Sequence, residues 1–409
     1  MITMQGKRNT AFIYARTINR ETKTQIAELL REKAFTDSKI RIMPDAHSGK
    51  GCVVGTTMTL NGRVSPSLVG VDIGCGMETL IFEEAKVDLP ALDELIHTRI
   101  PCGSRIHGDP LVTAEDIDLS KLRCFSEVNI ERAYHSAGTL GGGNHFIELG
   151  QDSNGVVYLI IHSGSRQLGS DVAKYYQEAA YKYQYRKAKG RARTEAKTRR
   201  ERTRYDEHGD YEVYDNYVKL APMREQKPKQ AVAFGRAVLD GALFEDYLYD
   251  IAIVQEFAVL NRKTMAAIIS EGMGLSARDS FTNVHNYIDT DRMILRKGAV
   301  SANQGERLVI PLNMRDGVLL CTGLGNPEWN FSAPHGAGRI CSRTDAKYTY
   351  SVEEYLTQMQ GIYTTTANEG SIDECPMAYK PPGDIISMID ETVTVEKTIK
   401  PLYNFKACG

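Results

Sequence analysis

Hydrophobic positions along the chain switch between helical and extended spacing many times, and each switch predicts an element. In Glu21–Ala34, Ile26, Leu29 and Leu30 fall on one face at the three-to-four spacing of a short amphipathic helix. Lys39–Met43 reads as a strand ending at Pro44, and Cys52–Leu60 as a second strand leading into Asn61-Gly62, a pair that tolerates positive φ and predicts a hairpin turn. Leu68–Ile73 is a mostly apolar run entering glycines and reads as a strand; Leu89–Thr98 reads as a helix with Pro90 near its start. The β-branched run Val156–His162 predicts a buried strand. Ser170–Arg204 predicts a long helix. Gln230–Ser270 predicts a second one, with Phe234, Val238, Leu243 and Leu248 as core residues, the two forming a pair that projects from a β-rich body. Leu308–Ile310 and Val318–Cys321 read as short strands joined through Pro311 and a turn at Arg315-Asp316-Gly317. Strands and helices do not alternate regularly, so a doubly wound parallel sheet is not indicated. The expected architecture is a single large mixed α+β domain over residues 1–409, with a β-rich core and a basic helical insertion at about 170–270.

Composition bounds this picture. Of 409 residues, 42% are hydrophobic and 25% charged, the balance of a globular chain, which excludes a disordered or fibrous protein. No apolar run approaches the ~20 residues of a membrane span, and the start of the chain lacks a signal-peptide pattern. A cytoplasmic protein with no membrane association is therefore expected. In that compartment the eight cysteines should be free thiols, and no CxxC pair suggests a zinc ribbon. The net charge of −2 conceals an asymmetry: Lys182–Arg204 holds eleven Lys or Arg against two Glu. Such a run is either a solvated helical arm or a surface for nucleic-acid phosphates. The tyrosines leading into it, Tyr175, Tyr176, Tyr181, Tyr183 and Tyr185, could stack on bases or simply pack.

Chemistry-bearing residues concentrate in short glycine-rich constellations. Asp72 and Cys75 lie three apart in VDIGCGM, a carboxylate and a thiol that are both metal ligands. Asn144, His145 and Glu148 follow Gly141-Gly142-Gly143, whose backbone can approach a phosphate closely. His162 opens HSGSR at a strand end, where Arg166 can fork onto an anion, and His285 lies in NVHNY. His335 opens HGAGR, which suits phosphoryl chemistry: an imidazole nucleophile, glycine backbone for oxygens and an arginine for charge. Each constellation alone is equally a glycine turn or a hydrogen-bonded core histidine. Together, a thiolate, a carboxylate and three or four histidines could complete a two-metal site for phosphoryl transfer. His97, His107, His135 and His208 stand in no comparable constellation.

Taken in order, PDAHSGKG (Pro44–Gly51), VGVDIGCGM, GGGNHFIE, HSGSR, HNY, RKGAVSA, HGAGR and DECPMAYK, with Lys406 near the end, resemble the RtcB family of RNA ligases from about Arg41 onward. The resemblance implies an RtcB-type fold. It implies an enzyme that joins an RNA 3′-phosphate or 2′,3′-cyclic phosphate to a 5′-hydroxyl, using GTP and two Mn²⁺ ions, in RNA repair or tRNA splicing. It makes His335 the nucleophile that becomes guanylylated, with Asp45 orienting it and Asn144 at the reacting phosphate or the 5′ end. Asp72, Cys75 and His145 would hold one metal and Cys75, His162 and His285 the other. Asn144, His145, Glu148, Asn286, Pro311, Asn313, Met314, Gly336, Ala337, Gly338 and Lys406 would surround the GMP. RNA is the implied partner, contacted by Arg166 and the basic arm, and an archease-type accessory protein the further one. A Cys/His donor set ranks zinc above manganese on affinity, so manganese would be selected by availability, coordination number or activity.

The chain also departs from the family pattern. Where PGSMG followed by a serine is usual, it has Pro311-Leu312-Asn313-Met314-Arg315 and then Val318, whose side chain neither donates nor accepts a hydrogen bond. Ile340-Cys341 replaces a methionine-bearing pair, and Ala407-Cys408-Gly409 extends the end. Two alternatives remain at this point. One is a metal-dependent phosphoesterase acting on RNA 2′,3′-cyclic phosphates without guanylylation. The other is an RNA-binding protein without catalysis.

Overall fold

A computed structural model describes residues 1–83, 86–206 (188–206 as backbone) and 236–407. Two sheets carry the architecture. The six-stranded sheet runs Ile2–Gln5, Thr10–Ile13, Ile40–His47, Val54–Thr59, Ile294–Lys297, Asn286–Asp289 from edge to edge. The seven-stranded sheet runs Asp279–Val284, Gly76–Phe82, Val157–Ser163, Phe146–Gln151, Val393–Lys406, Gly317–Gly323, Arg307–Asn313, every neighbouring pair antiparallel. Sheets interleaved with long helices make this the mixed α+β fold expected.

The alternation of side chains along a strand decides what each face of the seven-stranded sheet does. Ile147, Leu149, Leu159, Ile161, Tyr403 and Phe405 share one face and pack with Leu92, Ile96, Met265 and Ile269 of the helices Leu89–Arg99 and Ala242–Met273. Shifted by one residue, Phe146, Glu148, His162, Asn404 and Lys406 share the other face, which lines a cleft. The same strands that build the core thus deliver polar groups to the opposite side. A second, larger cluster joins Ile13, Ile26, Ile42 and Met58 at the six-stranded sheet to Val172, Tyr176, Tyr247 and Val254 on the helices.

Several sequence expectations are met and some are corrected. The helices form at Arg20–Leu29, Leu89–Arg99, Arg166–Asp206 and Ala242–Met273. Pro44 does not end its strand, which continues to His47. Pairing with Val54–Thr59 is interrupted between Ile42 and His47, so no ladder bond requires the N–H that proline lacks. Asn61-Gly62 closes no hairpin: Arg63–Val64 leaves the first sheet and pairs with Leu239–Asp240. Leu68–Ile73 is not a strand. Ser65-Pro66 starts a helical turn, Pro66–Val69, because proline is pre-set for the first helical positions, and the strand begins only after the glycines, at Gly76. The second long helix does not project: Phe244, Leu248, Val254, Phe257, Met265 and Ile269 bury it in the core. Phe234 and His208 lie outside the described residues, as does the rest of 207–235. The seven described cysteines are free thiols, and no described helix is long and apolar enough to cross a membrane.

Candidate active site

Antiparallel register brings four of the five metal-ligand candidates, Cys75, His145, His162 and His285, to one end of four adjacent strands. Gly76 pairs with both Val284 and Ser163, and Phe146 pairs with His162. Cys75 and His145, just before two strands, therefore meet His162 and His285, at the ends of the other two. Cys75 Sγ lies 3.1 Å from His162 Nε2 and 3.5 Å from His145 Nε2. His162 Nε2 lies 3.2 Å from His285 Nε2, and His145 Nε2 lies 3.4 Å from Asp72 Oδ2. Cys75, His145, His162 and His285 are buried, while Asp72 is partly exposed at the cleft.

The hydrogen bonds around this cluster leave it able to hold a cation. His145 Nδ1 donates to the carbonyl of Leu140 (2.8 Å) and His162 Nδ1 to that of Asn144 (3.1 Å). Each Nε2 is then a lone pair aimed into a space shared with a thiol and, at His162, with another imidazole. Backbone-fixed tautomers of this kind are how proteins orient metal-binding histidines. Burial and neighbouring positive groups hold His162 and His285 well below the usual imidazole range, so protons do not relieve the crowding of lone pairs. Burial and then the Asp72 carboxylate push the Cys75 thiol well up. Burial alone would raise the Asp72 carboxyl, but the hydrogen bond and charge of His145, with Cys75 and Arg166, bring it down to about 2. The ligand atoms of Cys75, His145 and His162 lie within 4.8 Å of one another. Soft sulfur, imidazole and carboxylate donors fit a transition-metal ion.

His335 stands beside this cluster, its ring centroid 4.9 Å from that of His285. Its Nδ1 lies 2.6 Å from Oδ2 of Asp45, whose carboxylate is completely buried. The carboxylate sets the tautomer: Nδ1 carries the proton and Nε2 keeps the lone pair. The contact depends on glycine at 338, where φ is +75° and a Cβ would stand 2.2 Å from the Asp45 carbonyl oxygen.

A cleft of about 640 Å³ runs from these groups across the polar face of the sheet. Of the expected nucleotide contacts, Asn144, Glu148, Asn286, Pro311, Asn313, Met314, His335, Gly336, Ala337, Gly338 and Lys406 all line it; His145 belongs to the buried cluster behind. Glu148 accepts from the Asn404 amide (2.8 Å) while its second oxygen has no partner among the described residues. Burial pushes Glu148 up to about 8, against the pull of Asn404 and Lys406. Lys406 pairs with Glu374 (2.6 Å) and donates to the Asn144 carbonyl (3.0 Å). Asn286 accepts from the Gly298 amide (2.9 Å). Asn313 turns its side chain onto its own loop, donating to Asp316 and accepting from the amides of Arg315 and Asp316. Val318 packs with Met77, Phe146 and Ile399 below the cleft. Arg166 lies against Gly141 and bonds Thr139 and Gly103, beside the Asp72 carboxylate rather than out in solvent.

Sequence reasoning missed part of the cleft wall. Glu374 takes ion pairs from Lys406, Arg339 and Arg343 and a hydrogen bond from Tyr379, and these attractions outweigh its burial and hold it at about 2. Asn404 was also missed, although its two-residue offset from Lys406 in a strand was a usable signal. The histidines set aside lie elsewhere: His97 beside Asp93, and His107 and His135 on backbone carbonyls.

A mixed α+β fold, a buried thiol–imidazole–carboxylate centre and an adjacent carboxylate-oriented histidine define a candidate metal-dependent group-transfer site. The chain belongs to the family described as tRNA-splicing ligase RtcB, whose model matches residues 25–122 and 109–407. It is 30% identical to the RNA-splicing ligase RtcB of Escherichia coli K12 over 411 residues, 91% of each chain. It is 25% identical to the tRNA-splicing ligase RtcB of Aeropyrum pernix, covering 83% of this chain and 81% of that one. The RNA-splicing ligase RtcB2 of Escherichia coli ATCC 25922 is 24% identical, over 90% of this chain and 87% of its own.

Proposed function

We propose that this enzyme seals broken RNA, joining a 3′-phosphate or 2′,3′-cyclic phosphate end to a 5′-hydroxyl end at the expense of GTP, in RNA repair or tRNA splicing. The observation that carries the reading is His335: its proton is committed to Asp45 at 2.6 Å, and it lines the cleft beside the ligand cluster. A hydrolase relying on metals alone has no use for a nucleophile so prepared.

His335 Nε2 attacks the α-phosphorus of GTP. The new N–P bond displaces pyrophosphate, and Asp45 stabilises the positive charge that the imidazole acquires. The RNA 3′-phosphate then attacks the same phosphorus, the N–P bond breaks, and GMP is carried on the RNA end. The 5′-hydroxyl attacks the activated 3′-phosphorus, giving up its proton, and GMP leaves as the phosphodiester forms. A cyclic phosphate is first opened by water to the 3′-phosphate. Asp72, Cys75 and His145 would hold one Mn²⁺ and Cys75, His162 and His285 another. When bound, the ions supply Lewis acidity and neutralise charge on the phosphates. Asn144 contacts the reacting phosphate. Glu148, Asn286, the Gly336–Gly338 backbone and Lys406 surround the GMP, and Pro311 and Met314 add apolar wall. Asn313 spends its side chain within its own turn, so any contact it makes to nucleotide falls to its backbone. An archease-type protein as accelerator of guanylylation belongs to the same reading.

Incubation with α-labelled GTP and Mn²⁺ tests it. Wild type should acquire an acid-labile label that His335→Ala lacks. Failure of wild type to label, with cyclic-phosphate hydrolysis retained in His335→Ala, would replace the proposal with a phosphoesterase.

A further inference from the structure

Two polar residues of the helix Ala242–Met273 are used neither by core packing nor by the reaction. Asn261 and Arg262 are both completely buried, between Ala258 and Met265. A buried guanidinium is costly unless its donors are committed, so its partners reveal its purpose. Arg262 Nη1 donates to the carbonyls of Gly74 (2.8 Å) and Ser163 (2.9 Å), and Nη2 donates to the Thr282 hydroxyl (3.2 Å). Gly74 immediately precedes Cys75, Ser163 immediately follows His162, and Thr282 lies on the strand leading to His285. The Asn261 amide donates to Ser163 Oγ (3.1 Å) and the Gly164 carbonyl (3.0 Å), and its oxygen accepts from the Thr139 amide (3.0 Å). Thr139 precedes Leu140, whose carbonyl orients His145.

The helix also touches these loops directly. At Gly74, where φ is +76°, a Cβ would stand 2.7 Å from Ala258 Cβ and 3.0 Å from Gln255 Cα. Gln255 in turn accepts from the amide of Ile288, on the strand after His285 (3.0 Å). One helix face therefore meets backbone from every segment that brings a thiol or imidazole to the cluster. The strand ladders end at these positions, and the helix face supplies further contacts to the turns beyond them.

We propose that Asn261 and Arg262 are positioning residues of the metal centre, clamping the backbone around Cys75, His145, His162 and His285 at the separation that a cation requires. Arg262 also brings a positive charge close to Cys75, Glu78 and Asp72. The inference rests on the metal-site reading but not on RNA ligation.

Co²⁺ binding to the full-length protein tests it, through affinity and the thiolate-to-cobalt absorption band. Arg262→Lys keeps charge but loses the fork; Asn261→Asp keeps the acceptor for Thr139 but loses both donors. Each should remain folded by circular dichroism, bind Co²⁺ about 10–100-fold more weakly and show a shifted band. Ile269→Ala, in the apolar cluster of the same helix, should lower the melting temperature and leave affinity and band unchanged. Folded variants with wild-type affinity and band would overturn the proposal. So would failure of both to fold where Ile269→Ala folds, since the pair would then serve folding alone. A wild-type protein that binds no Co²⁺, or a Cys75→Ser variant that binds it as well as wild type, would instead overturn the metal reading itself.

Discussion

His335 donates through one nitrogen to a carboxylate with no access to water, and this orientation is worth more than the imidazole alone. Asp45→Asn permits the opposite tautomer, so guanylylation should fall by about 10³-fold while the fold persists, measured as the rate of labelling by α-labelled GTP. Glu148 supports a prediction of a different kind. Burial raises its carboxyl from the ordinary 4.5 to about 8, against opposing contributions from Asn404 and Lys406. Between those values the folded protein keeps a proton that the unfolded chain has lost. Its contribution to stability is therefore fully present below about pH 4.5 and is lost as pH rises through 8. In urea unfolding from pH 5 to 9, the stability of wild type relative to Glu148→Gln should decline toward pH 8 and then level off. His335 and Glu148 stand out in sequence beside glycine-rich runs, and Asp45 only through the resemblance that PDAHSGKG carries. Arg262 does not: inside a long helix its charge reads as a solvated face, and only burial exposes its role.

At the scale of elements, the site depends on where strands start and stop. Cys75 is useful because the strand begins after it, a placement that an extended Leu68–Ile73 would not give. Hydrophobic content alone cannot separate a short buried strand from a helical turn. Pro44 misleads in the opposite direction, since a proline is tolerated in a strand wherever the partner's ladder is interrupted. Close approach between elements makes a sharp test. Gly338→Ala forces its loop away from the strand carrying Asp45, with a Cβ only 2.2 Å from a carbonyl oxygen and a positive φ to abandon. The variant should lose His335 labelling by at least about 10²-fold, as misplacement of reacting groups by about 1 Å can do, while metal binding at the separate Cys75 cluster is retained.

For the whole molecule, the basic arm and the proposed metal would act beyond the cleft. Neutralising Arg199, Arg200, Arg202 and Arg204 should weaken RNA binding and flatten its dependence on salt, by about 0.7–0.9 in slope for each RNA phosphate that the arm no longer neutralises. An unchanged slope in filter-binding titrations would mark the arm as a solvated face. Metal removal should lower the melting temperature of wild type by about 2 °C or more, because ligands held together by the fold lose the ion that binds only the folded form. Cys75→Ser should melt at the same temperature with and without chelator. Fold class, the free thiols of the described cysteines, the long helices and the glycine-flanked polar motifs at the cleft were legible in the sequence, because such motifs and hydrophobic period are local properties of a chain. Convergence was not. Antiparallel register, with Gly76 opposite both Val284 and Ser163, set the four candidate ligands side by side. Long-range packing turned Asn261 and Arg262 inward, and the turn at Asn313 consumed a side chain expected to meet the nucleotide. Each of these depends on partners tens to hundreds of residues away or on a competing local hydrogen bond. Only the tertiary structure decides between them, since a motif specifies which groups are available and packing specifies which groups meet.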